Sequence, residues 1–168
     1  MPSDTILTTQ RLILRGPRAE DLDAMFAIYS NPACMAYWST LPHETPDVSK
    51  ALLDGRLAHW NIAPLNFQIE LEGALIGNAG NFHGTEIGYM LDEKHWRKGY
   101  MTEALSAIIP YLWRNTDHPK LTADLDPKNA ASVGLLTSLG FQETGRAKKT
   151  FHIGGVWSDS IYFALPRP

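Results

Sequence analysis

The chain has 168 residues, of which 44 % are hydrophobic and 20 % charged, with a formal net charge of −3; this suits one domain over residues 1–168 with a full core, and excludes a disordered segment. The negative balance argues against general nucleic-acid binding, which needs a dense basic face. The single cysteine, Cys34, leaves no internal disulfide, no apolar run approaches a membrane span and no signal-peptide pattern opens the chain, so the expectation is a cytoplasmic protein.

Arg11 to Arg15 places Leu12-Ile13-Leu14 between charged ends and reads as a short strand, ended by Gly16-Pro17. Glu20 and Asp21 open a helix whose Leu22, Met25, Phe26 and Tyr29 follow helical spacing, and Asn31-Pro32 stops it. Residues 33–46 mix Met35, Tyr37, Trp38 and Leu41 with prolines and read as a loop, with room for a helical turn. The loop packs on the core or walls an acceptor pocket, core packing being the favoured reading. Asp47 to Trp60 is a second amphipathic helix. Asn66–Leu71 and Leu75–Phe82 are strands joined at Glu72-Gly73, and Gly84-Thr85 turns the chain into a third.

The next stretch, Glu86 to Ala104, carries the chemistry. Its first six residues read as a buried strand, and a turn then sets Arg97 and Lys98 beside Gly99. An apolar helix is expected from Thr102 to about residue 114, kinked at Pro110. The first N–H groups of such a helix lack internal partners and its dipole adds positive charge there, while glycine lets a ligand reach the backbone. That is a site for a phosphate group. Neither the Walker pattern nor G-x-G-x-x-G occurs.

Leu121–Leu125 follows that helix and should run parallel to strand 86–91. Asn129 suits a helix N-cap, Leu135, Leu136 and Leu139 give the helix an apolar face, and Gly140 fits its left-handed end. Thr150–Ile153 and Trp157–Leu165 form a closing hairpin around Gly154-Gly155, with Trp157 read as core packing. The histidines show no metal-ligand spacing, so no metal is expected.

Glu86–Ala104 resembles the acetyl-CoA-binding core of the GCN5-related N-acetyltransferases, in particular their ribosomal-protein N-acetyltransferase-like branch. Thr9-Gln-Arg-Leu-Ile-Leu-Arg15, Glu20-Asp21-Leu22, Asp126-Pro-Lys-Asn129 with Ser132, Leu139-Gly-Phe141 and Gly155-Val-Trp-Ser-Asp159 with Tyr162 are similar to the branch in the same order. Arg97 stands where the branch often has glycine, and Met101 where alanine is usual.

The resemblance implies an α/β (α+β) fold of the GNAT type: a mixed, mostly antiparallel sheet of about seven strands with one splayed parallel pair, flanked by about four helices. It implies that acetyl-CoA runs its pantetheine arm along Met90 and Leu91, lays its pyrophosphate on Arg97, Lys98, Gly99, Tyr100, Met101 and Thr102, and touches Asn129 and Ser132. A backbone N–H near Leu91 would stabilise the oxyanion formed when an amine attacks the thioester. Trp38, His83, Glu86 and Trp157 would face the acceptor.

The attacking amine must be neutral. An α-amine has a pKa of ~7.7–8.0 and a lysine about 10.4, so an α-amine needs only a weak base. Glu86 and Asp124 are the candidate catalytic bases, with Asp126 behind them, and any of the three could instead bind the acceptor's ammonium. Leu135-Leu136 stand where many relatives carry an acid tyrosine, which leaves Ser132 and Ser138 as weak substitutes. The expected reaction is direct transfer in a ternary complex, in a monomer or homodimer. A protein N-terminus is the first-choice acceptor. A polyamine, amino acid or aminoglycoside is the alternative, and a non-catalytic acyl-CoA sensor the second.

Overall fold

The computed structural model describes residues 6–168. Its elements are β1 (Leu7–Thr8), β2 (Ile13–Arg15), α1 (Leu22–Tyr29), α2 (Pro32–Met35), α3 (Pro46–Trp60), β3 (Asn66–Leu71), β4 (Ala74–His83) and β5 (Glu86–Leu91). They continue with α4 (Tyr100–Asn115), β6 (Lys120–Leu125), α5 (Ala130–Ser138), β7 (Gln142–Ile153) and β8 (Val156–Pro166). The strands form one sheet in the order β1-β2-β3-β4-β5-β6-β8-β7. Every neighbouring pair is antiparallel except β5 and β6.

The expected fold class holds, with eight strands among the described residues rather than about seven and five α-helices rather than about four. The extra strand is the two-residue β1, too short to leave a periodic signal. The closing hairpin also starts earlier than expected, at Gln142 rather than Thr150. Residues 142–149 lie on the sheet's edge and are mostly exposed, so no apolar alternation announces them. A register shift between Ala147 and Phe151, beside a positive φ of 53° at Lys149, further breaks the pattern. Helix α4 begins at Tyr100, two residues before the apolar run.

The core lies between α4 and one face of the sheet. Ala104, Leu105, Ile108 and Leu112 of α4 are fully enclosed and pack with Phe67, Ile69, Ile76, Ala79 and Ile87 from three strands. Phe67 meets the rings of Trp60 and Tyr111 edge-on, each at 5.1 Å. The opposite face carries a smaller cluster of Ile28, Tyr29, Met35 and Met90 under α1 and α2. A buried ion network joins the two ends of the N-terminal segment. Arg15 donates from Nη2 to Asp21 Oδ1 at 2.8 Å and from Nε to Glu70 Oε2 at 2.6 Å, tying β2 to the start of α1 and to β3.

The sheet opens in one place. β5 pairs with β4 along its whole length, and β6 pairs with β8 over all six residues. β5 and β6 pair only at Glu86 and Thr122, supported by Thr122 N donating to Thr85 O. Beyond that rung the parallel strands part, as the expected splay requires. Gly77 keeps β4 tight against β5 here, since a Cβ at that position would run into the Met90 carbonyl oxygen.

Candidate active site

The splay opens a cleft of about 1340 Å³ between β5, β6, the first turns of α4 and α5, the 32–42 segment and the β7–β8 hairpin. Sequence distance gives no hint of this gathering, because the lining comes from segments spread from Pro32 to Asp159.

At one end stands the turn before α4. Asp92 begins a short 3₁₀ segment over Glu93–His95, with its Oδ1 accepting from Lys94 N at 3.3 Å. Trp96 folds back and donates from Nε1 to Leu91 O at 2.9 Å. The backbone then turns left-handed twice, at Arg97 (φ 60°) and Gly99 (φ 78°). Glycine adopts that conformation freely and arginine does not, so the turn carries strain at Arg97.

A clamp from the N-terminal strands holds this turn. Arg11 donates from Nη1 to Lys98 O at 2.9 Å and lies 4.4 Å over the Tyr100 ring. Its Nε donates to Glu103 Oε2 at 2.7 Å, its backbone N to Glu103 Oε1 at 2.7 Å, and Thr9 Oγ1 to the same oxygen at 2.6 Å. Burial nudges the Glu103 carboxyl upward, but these donors outweigh it and hold the group below its ordinary range.

Near the rung where β5 and β6 part stand Glu86 and Asp124, both half-buried. Burial raises the Glu86 carboxyl, the Asp124 charge raises it further, and His83 pulls slightly back. Burial likewise raises Asp124, with the Ser160 hydroxyl opposing. Asp124 Oδ1 is enclosed and has no hydrogen-bond partner. Each carboxylate is thus kept a better proton acceptor than in water.

Glu86, Asp124, Met90, Leu91, Arg97, Gly99, Tyr100, Met101, Thr102, Asn129, Ser132, Trp38 and His83 all border the cleft. Two expected residues do not join them. Lys98 turns its Nζ back to Lys94 O at 3.1 Å. Trp157 lies outside the cleft on a small side recess, where its ring stacks on His152 at 4.5 Å. Nor is Trp157 a core residue: it is 51 % exposed, because the hairpin tip extends beyond the covered part of the sheet. Met101 directs its bulk into the core and is 8 % exposed, so it does not fill the turn. Asn129 caps α5, its Oδ1 accepting from Ser132 N at 3.3 Å. Of the 33–46 segment, Met35 packs in the smaller core while Tyr37, Trp38 and Leu41 border the cleft, so both readings of that loop hold in part.

Tyr89 was not expected. Its hydroxyl is enclosed at the cleft wall without a well-formed hydrogen bond. Burial pushes its pKa up to about 12, with Ser132 near enough to pull slightly the other way. A tyrosine amid an apolar strand is the one signal that could have singled it out.

An Acetyltransferase (GNAT) domain model matches residues 11–142, which include β2, the turn before α4 and both carboxylates. The chain belongs to the GNAT acetyltransferase family. It is therefore an acyltransferase, and the family uses acetyl-CoA as donor. It is 30 % identical to an uncharacterized N-acetyltransferase, p20, from Bacillus licheniformis over 95 % of this chain and 94 % of that protein. It is 39 % identical to the [ribosomal protein uS5]-alanine N-acetyltransferase of Escherichia coli over 53 % of this chain and 46 % of that protein. Among solved structures, a GNAT-family acetyltransferase from Bacillus anthracis superposes with a TM-score of 0.84, at 24 % identity over 96 % of this chain and 98 % of that one. A ribosomal L7/L12 α-N-protein acetyltransferase in complex with coenzyme A gives 0.83, at 19 % identity over 96 % and 98 %. These two superpositions speak to the fold. No helix among the described residues is long and apolar enough to cross a membrane.

Proposed function

We propose that this GNAT acetyltransferase acetylates a protein N-terminal amine by direct attack on acetyl-CoA. The observation that carries the reading is the pair of raised carboxylates, Glu86 and Asp124, standing where β5 and β6 part. The uS5-alanine N-acetyltransferase among the relatives supports the choice of acceptor.

The donor's pyrophosphate rests on the Arg97–Thr102 turn, where first-turn N–H groups and Arg97 meet its charge. The pantetheine arm follows Met90 and Leu91 in the gap left by the missing rungs. Asp124, whose charge acts on Glu86, adds a second negative charge beside the incoming amine. Glu86 accepts the proton that the nitrogen loses as it bonds to the thioester carbon. The C–S bond then breaks and CoA leaves as thiolate. Tyr89 keeps its proton, since a phenol near 12 is a weaker acid than a thiol near 8.5. Cys34 is no acyl carrier: burial raises its thiol, and its Sγ donates to Leu91 O at 3.6 Å.

The test is CoA thiol release from acetyl-CoA with N-terminal peptides, polyamines, amino acids and aminoglycosides as acceptors. Release with peptides that falls about 100-fold in Glu86→Gln is the expected result. Release confined to small amines would overturn the acceptor assignment.

A further inference from the structure

Isolated exposed hydrophobic side chains are ordinary on a protein surface, but a ring of them around one opening is not. Of the large hydrophobic side chains that stand exposed among the described residues, Tyr37, Leu41, Phe82, Trp96, Phe151 and Val156 border the cleft, Trp96 at the turn before α4 and the other five around the opening near Glu86. Those five come from three separate segments: the 37–41 loop, the end of β4 and the tip of the β7–β8 hairpin. The segments meet around the opening. Trp38 packs edge-on against Phe82 at 6.3 Å, and Leu41 lies close enough to Gly154 of the hairpin turn to crowd any Cβ there.

Charge narrows what this rim can receive. Glu86, Asp124, Asp126 and Asp159 border the same cleft, against Lys128 and Arg97, with His83 beside Glu86. The balance favours a cation beside the carboxylates. A free amino acid would bring its own carboxylate within a bond or two of its amine, against Glu86 and Asp124. A polyamine would lay its second charge along an apolar rim and lose hydration without a partner. A polypeptide N-terminus brings one cation, then uncharged backbone, then side chains that the rim can cover.

We infer that the acceptor is a polypeptide N-terminus with apolar side chains among its first residues, gripped between the 37–41 loop and the hairpin tip. The inference rests on the placement of the amine at Glu86 and Asp124.

The experiment compares kcat/KM for two amidated hexapeptides that differ only at their second and third residues, Leu-Phe in one and Ser-Asn in the other. Spermidine and free leucine serve as small-amine controls. The Leu-Phe peptide is expected to be used at least about tenfold better, about 1.4 kcal/mol at 25 °C. The surface variants Leu41→Ser/Val156→Ser and Tyr37→Ser should lower the Leu-Phe value toward the Ser-Asn value, with KM for acetyl-CoA unchanged. Equal use of the two peptides, or better use of spermidine or leucine, overturns the inference while the GNAT site stands. No thiol release from any of the four overturns the reading of Glu86 and Asp124 along with it.

Discussion

Glu86 and Asp124 show how two ordinary carboxylates are shifted by their surroundings. Burial raises both, and the Asp124 charge adds to the effect on Glu86. In the proposed mechanism the base works in its deprotonated form, so the acid limb of kcat/KM against pH should lie above the ordinary carboxylate range near 4, and it should move in Asp124→Asn. Stability runs the other way. A carboxyl raised in the folded state favours folding at low pH, and the contribution is lost as pH climbs from the unfolded value through the folded one. At pH 7 the pair therefore opposes folding. Glu86→Gln should raise Tm at pH 7 while losing activity, and the gain should shrink toward pH 4. A melting series across that window measures it; a lower Tm at pH 7 would contradict the assigned strain.

At the scale of an element, the turn before α4, the proposed seat of the pyrophosphate, carries backbone strain. Arg97 occupies a left-handed conformation that glycine would adopt without penalty. Arg97→Gly should relieve about 1 kcal/mol, raising Tm by roughly 2–4 °C, while raising KM for acetyl-CoA through loss of the cation. The clamp on this turn is Arg11, which reaches Lys98 O, Glu103 and the Tyr100 ring. Arg11→Ala should raise KM for acetyl-CoA by about tenfold, about 1.4 kcal/mol, with kcat within about threefold. S-acetylpantetheine lacks the pyrophosphate, so its use should not change. An equal loss with both donors would mean that Arg11 holds the fold rather than the phosphate turn.

For the molecule as a whole, the buried Arg15–Asp21–Glu70 network fastens the N-terminal strand and first helix to the sheet. Burial raises Asp21, but the hydrogen bonds and charge of Arg15 outweigh it and leave the carboxyl below its ordinary value. Burial likewise works against the Arg15 charge, and Asp21 and Glu70 more than restore it. A depressed carboxylate stabilises above its unfolded pKa near 3.9 and loses that contribution as pH falls through the folded one. Asp21→Ala should cost about 3–5 kcal/mol, because it strands a buried guanidinium beside one carboxylate instead of two. Urea melts at pH 7 check the size. In the same variant, stability should fall less steeply between pH 4 and 2.

Much of this molecule is local and was written in the sequence. Strands 66–71 and 86–91 matched to the residue, because their apolar runs end at turn residues. The turn at Arg97–Gly99 followed from a change of charge and a single glycine, and the cap at Asn129 from its side-chain chemistry. Edge strand 142–149 was not legible, since an edge leaves no buried face to pattern. Nor were the fates of Lys98 and Trp157, which depend on where a side chain turns once its neighbours are in place. The sequence by itself determined most of the elements, their order and the family resemblance. Only the tertiary structure decided which rung between β5 and β6 survives, that Arg11 clamps a turn 86 or more residues away, and that three distant segments ring one opening. Those outcomes depend on contacts between residues far apart in the chain, and local propensity carries no record of them.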